Sequence, residues 1–414
     1  MMWPRAKLKY VARLGYGETL PRDEPQNGDF SVFGSNGPFA SFSRANTGAP
    51  AIIIGRKGSY GKVNWTAEPC FASDTTFFID ESNSRNHLRW LYWLLQTLRL
   101  DEGTDEAAVP GLNRETAYAR DVIVPPPSQQ RAIADYLDRE TARLDALVAE
   151  KERLLDLLDE KRRALITRAV TRGLDPHAPL RDSGIPWLGE IPAHWEIWKL
   201  GHSAAVGNGS TPSRSNAAYW TEGTIPWLRS SVVNQDEVTK ADEFVTPAAV
   251  RECNLPLVGK GSVLIAIVGQ GKTRGQAAVL SCDAAINQNL AFVAPDCLRL
   301  STWFLRWIFL SAYEYIRSIS DDAGGPKGIL TCEDVANLRI PIPPIDEQYA
   351  INARIATLSA RINQLRIATE YSIRLIKERR AAVITAAVTG KIEMENDEAV
   401  QHARRTVCQE KVKA

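Results

Sequence analysis

The stretch ALITRAVT at 164–171 returns, 218 residues later, as AVITAAVT at 382–389. Sliding the chain against itself by that offset also aligns Pro125-Pro126 with Pro343-Pro344 and Gln130 with Gln348. The register holds without a gap from 125 to 171, and 18 of those 47 positions are identical. Ordinary residue frequencies would give roughly three. The chain therefore contains a duplication, and an internal repeat is the first constraint on any fold.

Each copy opens on a proline-rich strand end, VIVPPP or IPIPP, where proline stops ladder pairing and delays helix entry. A helix is then expected after the polar stretches Ser128-Gln129-Gln130 and Asp346-Glu347-Gln348. In the first copy Ile133, Leu137, Leu144, Leu147, Leu154, Leu158 and Leu165 recur at three- and four-residue steps, interrupted by Glu140, Lys151 and Lys161. In the second the seam runs Ile351, Ile355, Leu358, Ile362, Leu365, Ile376 and Val383. This is heptad spacing, and it predicts two long helices paired as an antiparallel coiled coil. Such a pairing would place the segments that precede the helices at opposite ends.

Those preceding segments read alike. Short β-branched runs (AIIIG, TTFFID; SVLIAIVG, LAFVAP) alternate with Gly, Asn and Ser turns, and each segment has one aromatic helical stretch. The expected class is α+β, with two α/β domains separated by the two helices and related by a pseudo-twofold internal repeat. The expected boundaries are 1–127 (first domain), 128–172 (central helix), 173–198 (Pro/Trp-rich connector), 199–343 (second domain), 344–391 (C-terminal helix) and 392–414 (charged tail). The prolines at 176, 179, 186 and 192 predict an ordered, extended connector.

Composition excludes several classes. Of 414 residues, 44% are hydrophobic and 24% charged, as in a globular protein. No apolar run approaches a membrane span, and MMWPRAKLKY carries no signal-peptide core, so a cytoplasmic location is expected. Cys70, Cys253, Cys282, Cys297, Cys332 and Cys408 include no CxxC pair and suggest no metal site. The formal charge of +1 argues against a bulk electrostatic attraction to nucleic acid. Any DNA footprint must come from local clusters.

Two glycine turns supply such clusters. Arg56, Lys57, Ser59 and Lys62 lie between and beside glycines 55, 58 and 61. Gln270, Lys272, Thr273 and Arg274 lie between glycines 269 and 275, with Asn287 and Gln288 following. Glycine admits close backbone approach to phosphate, Arg and Lys neutralise phosphate or fork onto guanine, and amides pair with adenine. The segment AIVGQGKT (266–273) fits a loose phosphate-loop pattern, but it leads into a β-like run where such a loop must open a helix. No catalytic triad, methyltransferase signature or other catalytic site is found, so none is assigned.

Taken together, these motifs resemble the DNA-specificity subunits of type I restriction–modification systems. The resemblance rests on IGRKGSYGKV (54–63), PGLNRETA (110–117), VPPPSQQRAI, the long helix to RGLDP, IPWLGEIPAHWE, AAINQNLAFVAP (284–295), GGPKGILTCEDVANLRIPIPPIDEQ and AAVITAAVTGKI. It covers nearly the whole chain. The first copy departs from the family pattern in having Ser128-Gln129-Gln130 where an acidic residue precedes the last Gln. The resemblance implies a non-catalytic subunit that reads a bipartite double-stranded DNA target, one half per domain. It also implies two modification (methyltransferase) subunits docked on the helices, and restriction (motor-nuclease) subunits. S-adenosylmethionine, ATP and Mg are expected in those partners and no cofactor in this chain. The alternative from another class is a helical scaffold with two protein-binding ends, which would have no use for the paired Gly-Arg/Lys turns.

Overall fold

A computed structural model describes residues 3–21, 27–102, 111–269, 272–321 and 328–392. The chain divides into two compact units, Met1–Glu152 with Glu370–Ala414, and Arg153–Thr369. The division falls within both long helices, so each unit holds one globular domain and half of each helix.

In the first unit the chain runs β1 (Arg5–Lys7), β2 (Gly15–Tyr16), β3 (Phe30–Gly34), β4 (Gly37–Phe42), β5 (Ala51–Gly55), β6 (Val63–Thr66), β7 (Phe71–Ala72) and β8 (Thr76–Ile79). Helices α1 (Leu88–Gln96) and α2 (Arg114–Tyr118), strand β9 (Asp121–Ile123) and the long helix α3 (Pro127–Arg172) follow. The second unit holds β10 (Leu180–Asp182), β11 (Glu190–Pro192), β12 (Glu196–Lys199), β13 (Ala204–Asn208), β14 (Ile225–Leu228), β15 (Glu237–Val238) and β16 (Glu243–Val245). It continues with α4 (Pro247–Glu252), β17 (Leu257–Val258), β18 (Val263–Ala266), β19 (Ala277–Leu280), β20 (Ala284–Ile286) and β21 (Leu290–Pro295). Helices α5 (Thr302–Ser311), α6 (Tyr313–Asp321) and α7 (Cys332–Asn337), strand β22 (Arg339–Ile342) and α8 (Ile345–Val388) complete it. The α+β class with two long helices is the observed one.

The two domains share a topology. Strand order β2-β8-β5-β6 in the first matches β13-β21-β18-β19 in the second, where β15 extends the edge. A second sheet, β4-β3-β7, matches β16-β14-β20, and both contain one parallel pair, β3 with β7 and β14 with β20. The entering strand pairs with the strand that leads into the long helix in each case, β1 with β9 and β12 with β22. The apolar runs AIII and VLIA form the fully buried central strands β5 and β18. Aromatic helices pack on them: Trp90, Leu91 and Leu94 of α1 in the first core, Phe304, Ile308 and Phe309 of α5 in the second.

Both long helices begin close to where their polar stretches stand, and the first starts on Pro127, a residue suited to a first helical turn. Buried Gln130 and Gln348 do a job beyond capping. Gln130 Nε2 donates to Pro125 O and Asn86 Oδ1 while its Oε1 accepts from His87 N, the residue that caps α1. Gln348 Nε2 donates to Pro343 O and Arg299 O while its Oε1 accepts from Ser301 N, which caps α5. Each glutamine thus ties its long helix to the aromatic helix of its own domain.

The helices run antiparallel within each unit. Ile133 and Leu137 share a core with Ile384 and Val388, and further along Asp145 meets Arg380 at 2.8 Å and Glu152 meets Lys377 at 3.5 Å. In the second unit Ile166 and Val170 share a core with Ile351 and Ile355. The seam itself differs from the sequence expectation at about half of its positions, by one residue at Ile166 for Leu165 and Ile384 for Val383. Leu147, Leu154 and Leu365 are exposed, and Leu165, Leu358, Ile376 and Val383 only half-buried. Thr141, Ile166, Thr369, Ile373 and Ile384 are buried instead, alongside Ile133, Leu137, Leu144, Leu158, Ile351, Ile355 and Ile362. The physical reason is local degeneracy. Neighbours such as Leu165 and Ile166 lie about 100° apart on a helix, either continues a three–four pattern, and packing selects one. Glu140 consequently does not interrupt the seam. The hydrogen bond from Arg143 holds its carboxyl below the usual carboxylate range. The equivalent arginines of the two copies, Arg162 and Arg380, each lie near a tryptophan of an aromatic helix: Arg162 5.9 Å from the Trp307 ring centre, Arg380 5.8 Å from that of Trp93.

The connector is packed as well as extended. It folds into the β10–β11 hairpin, and Ile185, Leu188, Ile191 and Trp195 enter the second core. Among the described residues no helix is long and apolar enough to cross a membrane, and no His, Cys, Asp and Glu are grouped to hold a metal ion. The charged tail from 393 onward lies outside the described residues.

Candidate nucleic-acid interface

The two glycine turns are the same structural feature in the two domains. Residues 56–62 join β5 to β6 and residues 267–276 join β18 to β19, hairpins at matching places in matching sheets. In the first, Gly55 N donates to Lys62 O and Gly61 N to Gly55 O, both at 2.8 Å, which closes a tight loop. Gly58 and Gly61 have φ of 75° and 78°, a region that costs an L side chain about 1 kcal/mol or more. In the second, Gly275 N donates to Ala266 O and Ala266 N to Gln276 O.

Each hairpin is braced from one side by the segment that opens the short helix after it. Leu112 N donates to Arg56 O and Lys57 bridges Gly111; Leu330 N donates to Ile267 O and Val268 bridges Ile329. The bracing residues Gly111-Leu112 and Ile329-Leu330 are 218 apart, so the duplication extends upstream of the prolines, where Leu112 and Leu330 are identical at the same offset.

Lys57, Ser59 and Lys62 are exposed, with Lys62 Nζ held by Asn36 O at 2.8 Å and Asn36 Oδ1 at 2.9 Å. Arg56 is half-buried. Its guanidinium lies 5.2 Å from the Tyr16 ring centre, and its Nη1 donates to Asp74 O at 3.1 Å. Arg114 approaches the same ring at 4.9 Å. Two guanidinium groups around one exposed tyrosine make a basic, stacked surface beside the hairpin. Tyr16 and Arg114 escaped the sequence reading because they are distant in the chain, although Arg114 sits within the PGLNRETA motif.

In the second domain Lys272 is exposed, and its carbonyl accepts from Tyr313 Oη at 2.7 Å. Thr273 is half-buried, and Gln270 lies outside the described residues. Gln288 is exposed and accepts a hydrogen bond from Thr211 Oγ1. Arg274 and Asn287 are corrections to the expected contact set. They are 4% and 6% exposed, and Asn287 Oδ1 accepts from Asn289 N in its own loop. Neither presents its side chain on the outer surface. The chain after Lys272 enters strand β19, so the phosphate-loop resemblance of 266–273 has no helix to open. A further basic–aromatic group went unnoticed in the sequence. Arg214 lies 3.7 Å from the Trp220 ring centre, and Glu243 pairs with both Arg214 and Arg229.

Residues 192–370 match a family model described as the type I restriction modification DNA specificity domain. The EcoBI specificity subunit of Escherichia coli is 21% identical over 360 residues, covering 82% of this chain and 73% of that one. The chain carries a type I DNA specificity domain in its second half. The MjaX specificity subunit of Methanocaldococcus jannaschii is 24% identical over 275 residues, 66% of this chain. The chain spans 59% and 38% of the lengths of MjaX and MjaIX, and 88% of EcoDI. A chain solved in a study of assembly and conformational transition of a type I restriction–modification system superposes with a TM-score of 0.70 at 16% identity, covering 94% of this chain and 98% of that one. The HsdS subunit of Thermoanaerobacter tengcongensis gives 0.54, also at 16% identity. The specificity-subunit fold thus persists where sequence identity is low, as expected when topology depends on burial pattern more than on particular residues.

Proposed function

We propose that this chain reads a bipartite double-stranded DNA target, one half through each domain, as the cytoplasmic, non-catalytic specificity subunit of a type I restriction–modification complex. The observation that carries this reading is the pair of braced glycine hairpins at equivalent places in two domains of one topology, each presenting lysine outward. In this reading the exposed lysines contact phosphates, and the hairpin edge and the Tyr16–Arg56–Arg114 group supply the side chains that read base edges. In the second domain Lys272 and Gln288 take those roles.

Two modification subunits dock on the long helices in this reading. Leu147, Leu154 and Leu157 on α3, and Leu365, Ile367, Tyr371 and Leu375 on α8, are exposed apolar side chains available to such partners. The modification subunits supply S-adenosylmethionine chemistry. Restriction subunits supply the ATP- and Mg-dependent steps.

The test is a methylome. Co-expression with the neighbouring modification subunit in a methylation-free host is expected to yield a split, asymmetric motif. Exchanging residues 1–127 for those of another family member should change one half of the motif and leave the other intact. A soluble complex that adds no methylation would overturn the reading in favour of a protein scaffold. A second expectation concerns affinity. Lys57→Ala with Lys62→Ala should weaken binding to all duplexes alike and lower the salt slope by about 2, since each phosphate contact contributes roughly 0.9. An unchanged slope in binding titrations across salt concentrations would remove these lysines from the interface.

A further inference from the structure

Residues 209–224 join β13 to β14 and carry Arg214. Consecutive hydrogen bonds tie this loop to the candidate interface of the second domain. Ser210 N donates to Ile286 O at 3.0 Å, and Thr211 Oγ1 donates to the side chain of exposed Gln288. Asn289 O, one residue further, accepts from Ile267 N, where the β18–β19 hairpin begins.

Side chains fix the loop from within. Trp227 Nε1 donates to Ser210 O at 3.2 Å and Trp220 Nε1 to Ser213 O at 3.0 Å. The two indoles meet edge to face with ring centres 5.1 Å apart. The Arg214 guanidinium lies 3.7 Å from the Trp220 ring centre and 4.9 Å from that of Trp227, and its Nη2 meets Glu243 Oε2 at 2.6 Å. Glu243 stands opposite Trp227 in the β14–β16 pair and also pairs with Arg229. The Arg214 side chain is still 51% exposed, and among the described residues its guanidinium has no other hydrogen-bond or ion-pair partner.

Exposed ion pairs and stacked exposed cations contribute little to stability. What this arrangement supplies is direction: one face of the guanidinium plane rests on Trp220 and one edge on Glu243. A phosphate contact needs charge more than direction, and the neighbouring carboxylate offsets that charge. A base edge is neutral and demands direction. The arginine fork matches the O6 and N7 acceptors of guanine, the one base that presents two acceptors side by side in the major groove.

The first domain holds a comparable arrangement. Arg44 is 51% exposed, lies 5.4 Å from the Phe71 ring centre and 5.9 Å from that of Phe42, and pairs with Glu18 at 3.2 Å. Phe42 and Phe71 belong to the sheet β4-β3-β7, the counterpart of the sheet that holds Trp227 and Glu243. The parts are exchanged, however. Glu18 follows the edge strand β2 and Arg44 follows β4, whereas Arg214 follows β13 and Glu243 lies on β16. The duplication therefore did not copy one arginine from the other, and each domain has fixed its own.

We propose that Arg214 reads a guanine in the half-target of the second domain, through the guanidinium edge that Trp220 and Glu243 leave open. This rests on the DNA-reading function proposed above and adds a specificity-determining residue to it.

The test compares methylomes of the complex formed with the parent chain, with Arg214→Lys and with Arg214→Ala. Lysine keeps the charge at an exposed site and loses the fork, so the complex stays folded. In Arg214→Lys, discrimination at one G·C pair is expected to fall about ten- to hundredfold, the contribution of one bidentate arginine–guanine contact. That pair lies in the half of the motif that survives exchange of residues 1–127, and the other half stays unchanged. Arg214→Ala should relax the same position. A motif unaltered in both variants would overturn the assignment, as would relaxation at an A·T pair. A uniform drop in methylation with no relaxed position would mean a phosphate contact or a bracing role, and would overturn it as well. A parent complex that methylates nothing fails at the DNA-reading itself, whereas a parent motif that survives both variants fails only here.

Discussion

Gln348→Met is expected to destabilise the second unit by about 3 kcal/mol, because it deletes three hydrogen bonds from a side chain with no exposed surface. Methionine matches glutamine in length and fills the space, so the loss isolates the polar contacts. What remains is an unmet N–H at Ser301 and unmet carbonyls at Arg299 and Pro343. Stranding a buried group costs about 1–3 kcal/mol, and the Ser301 amide and the Pro343 carbonyl are both buried. Gln130→Met should do the same to the first unit through His87 N, Asn86 and Pro125 O. Urea unfolding followed by tryptophan fluorescence measures the loss. Hydrogen exchange gives a sharper check: the Ser301 amide should exchange slowly in the parent and fast in Gln348→Met. Unchanged protection would mean the glutamine does not hold α5.

The second large effect is expected at Gly209. A Cβ there would stand 1.8 Å from Ile286 O and 2.5 Å from Ile286 C, atoms of backbone that cannot swing aside. Gly17 occupies the matching place in the first domain, where a Cβ would stand 2.0 Å from Ser73 O. In both domains the chain leaving the edge strand of one sheet crosses the end of a strand of the other at a separation only glycine allows. Gly209→Ala must push β20 away, at a cost of about 3 kcal/mol, the upper range for forcing atoms into a packed interior. The displacement reaches Asn287 and Gln288 directly, so methylation of one half-site should fall together with stability. Thermal unfolding of the variant complex, with methylation scored at each half-site, tests both parts. A variant as stable as the parent would show that the two strands do not approach so closely.

The long helices were legible because their signals are local. A repeat at fixed offset, three–four spacing, and prolines at the entrance each concern residues within a few turns of one another. The buried β5 and β18 were legible for the same reason, as unbroken β-branched runs between glycines. The seam was not fully legible. Leu154-Leu155 and Leu165-Ile166 present two apolar residues side by side, and only contact with a partner helix chooses between them. The hairpins were found from their glycines, yet the fate of their side chains was not. Arg274 and Lys272 are two residues apart and chemically alike, but one turns into the domain and the other out. Tyr16 and Arg114 are joined by the fold across nearly a hundred residues, a distance no local pattern spans.

The amino-acid sequence by itself determined that there are two domains and two matching helices, where the helices run, and which family the chain resembles. Those properties follow from periodicity, chain-breaking residues and duplication, all encoded over short distances. Only the tertiary structure decided that the two domains share one strand order despite their divergent sequences. It also selected the helix face that is buried, tied Gln130 and Gln348 to the caps of distant helices, and turned Arg274 inward beside an outward Lys272. Each of these depends on which surfaces meet. Burial acts on the sum of contacts from segments far apart in the chain, and many local patterns satisfy it equally well until the partner surface is in place.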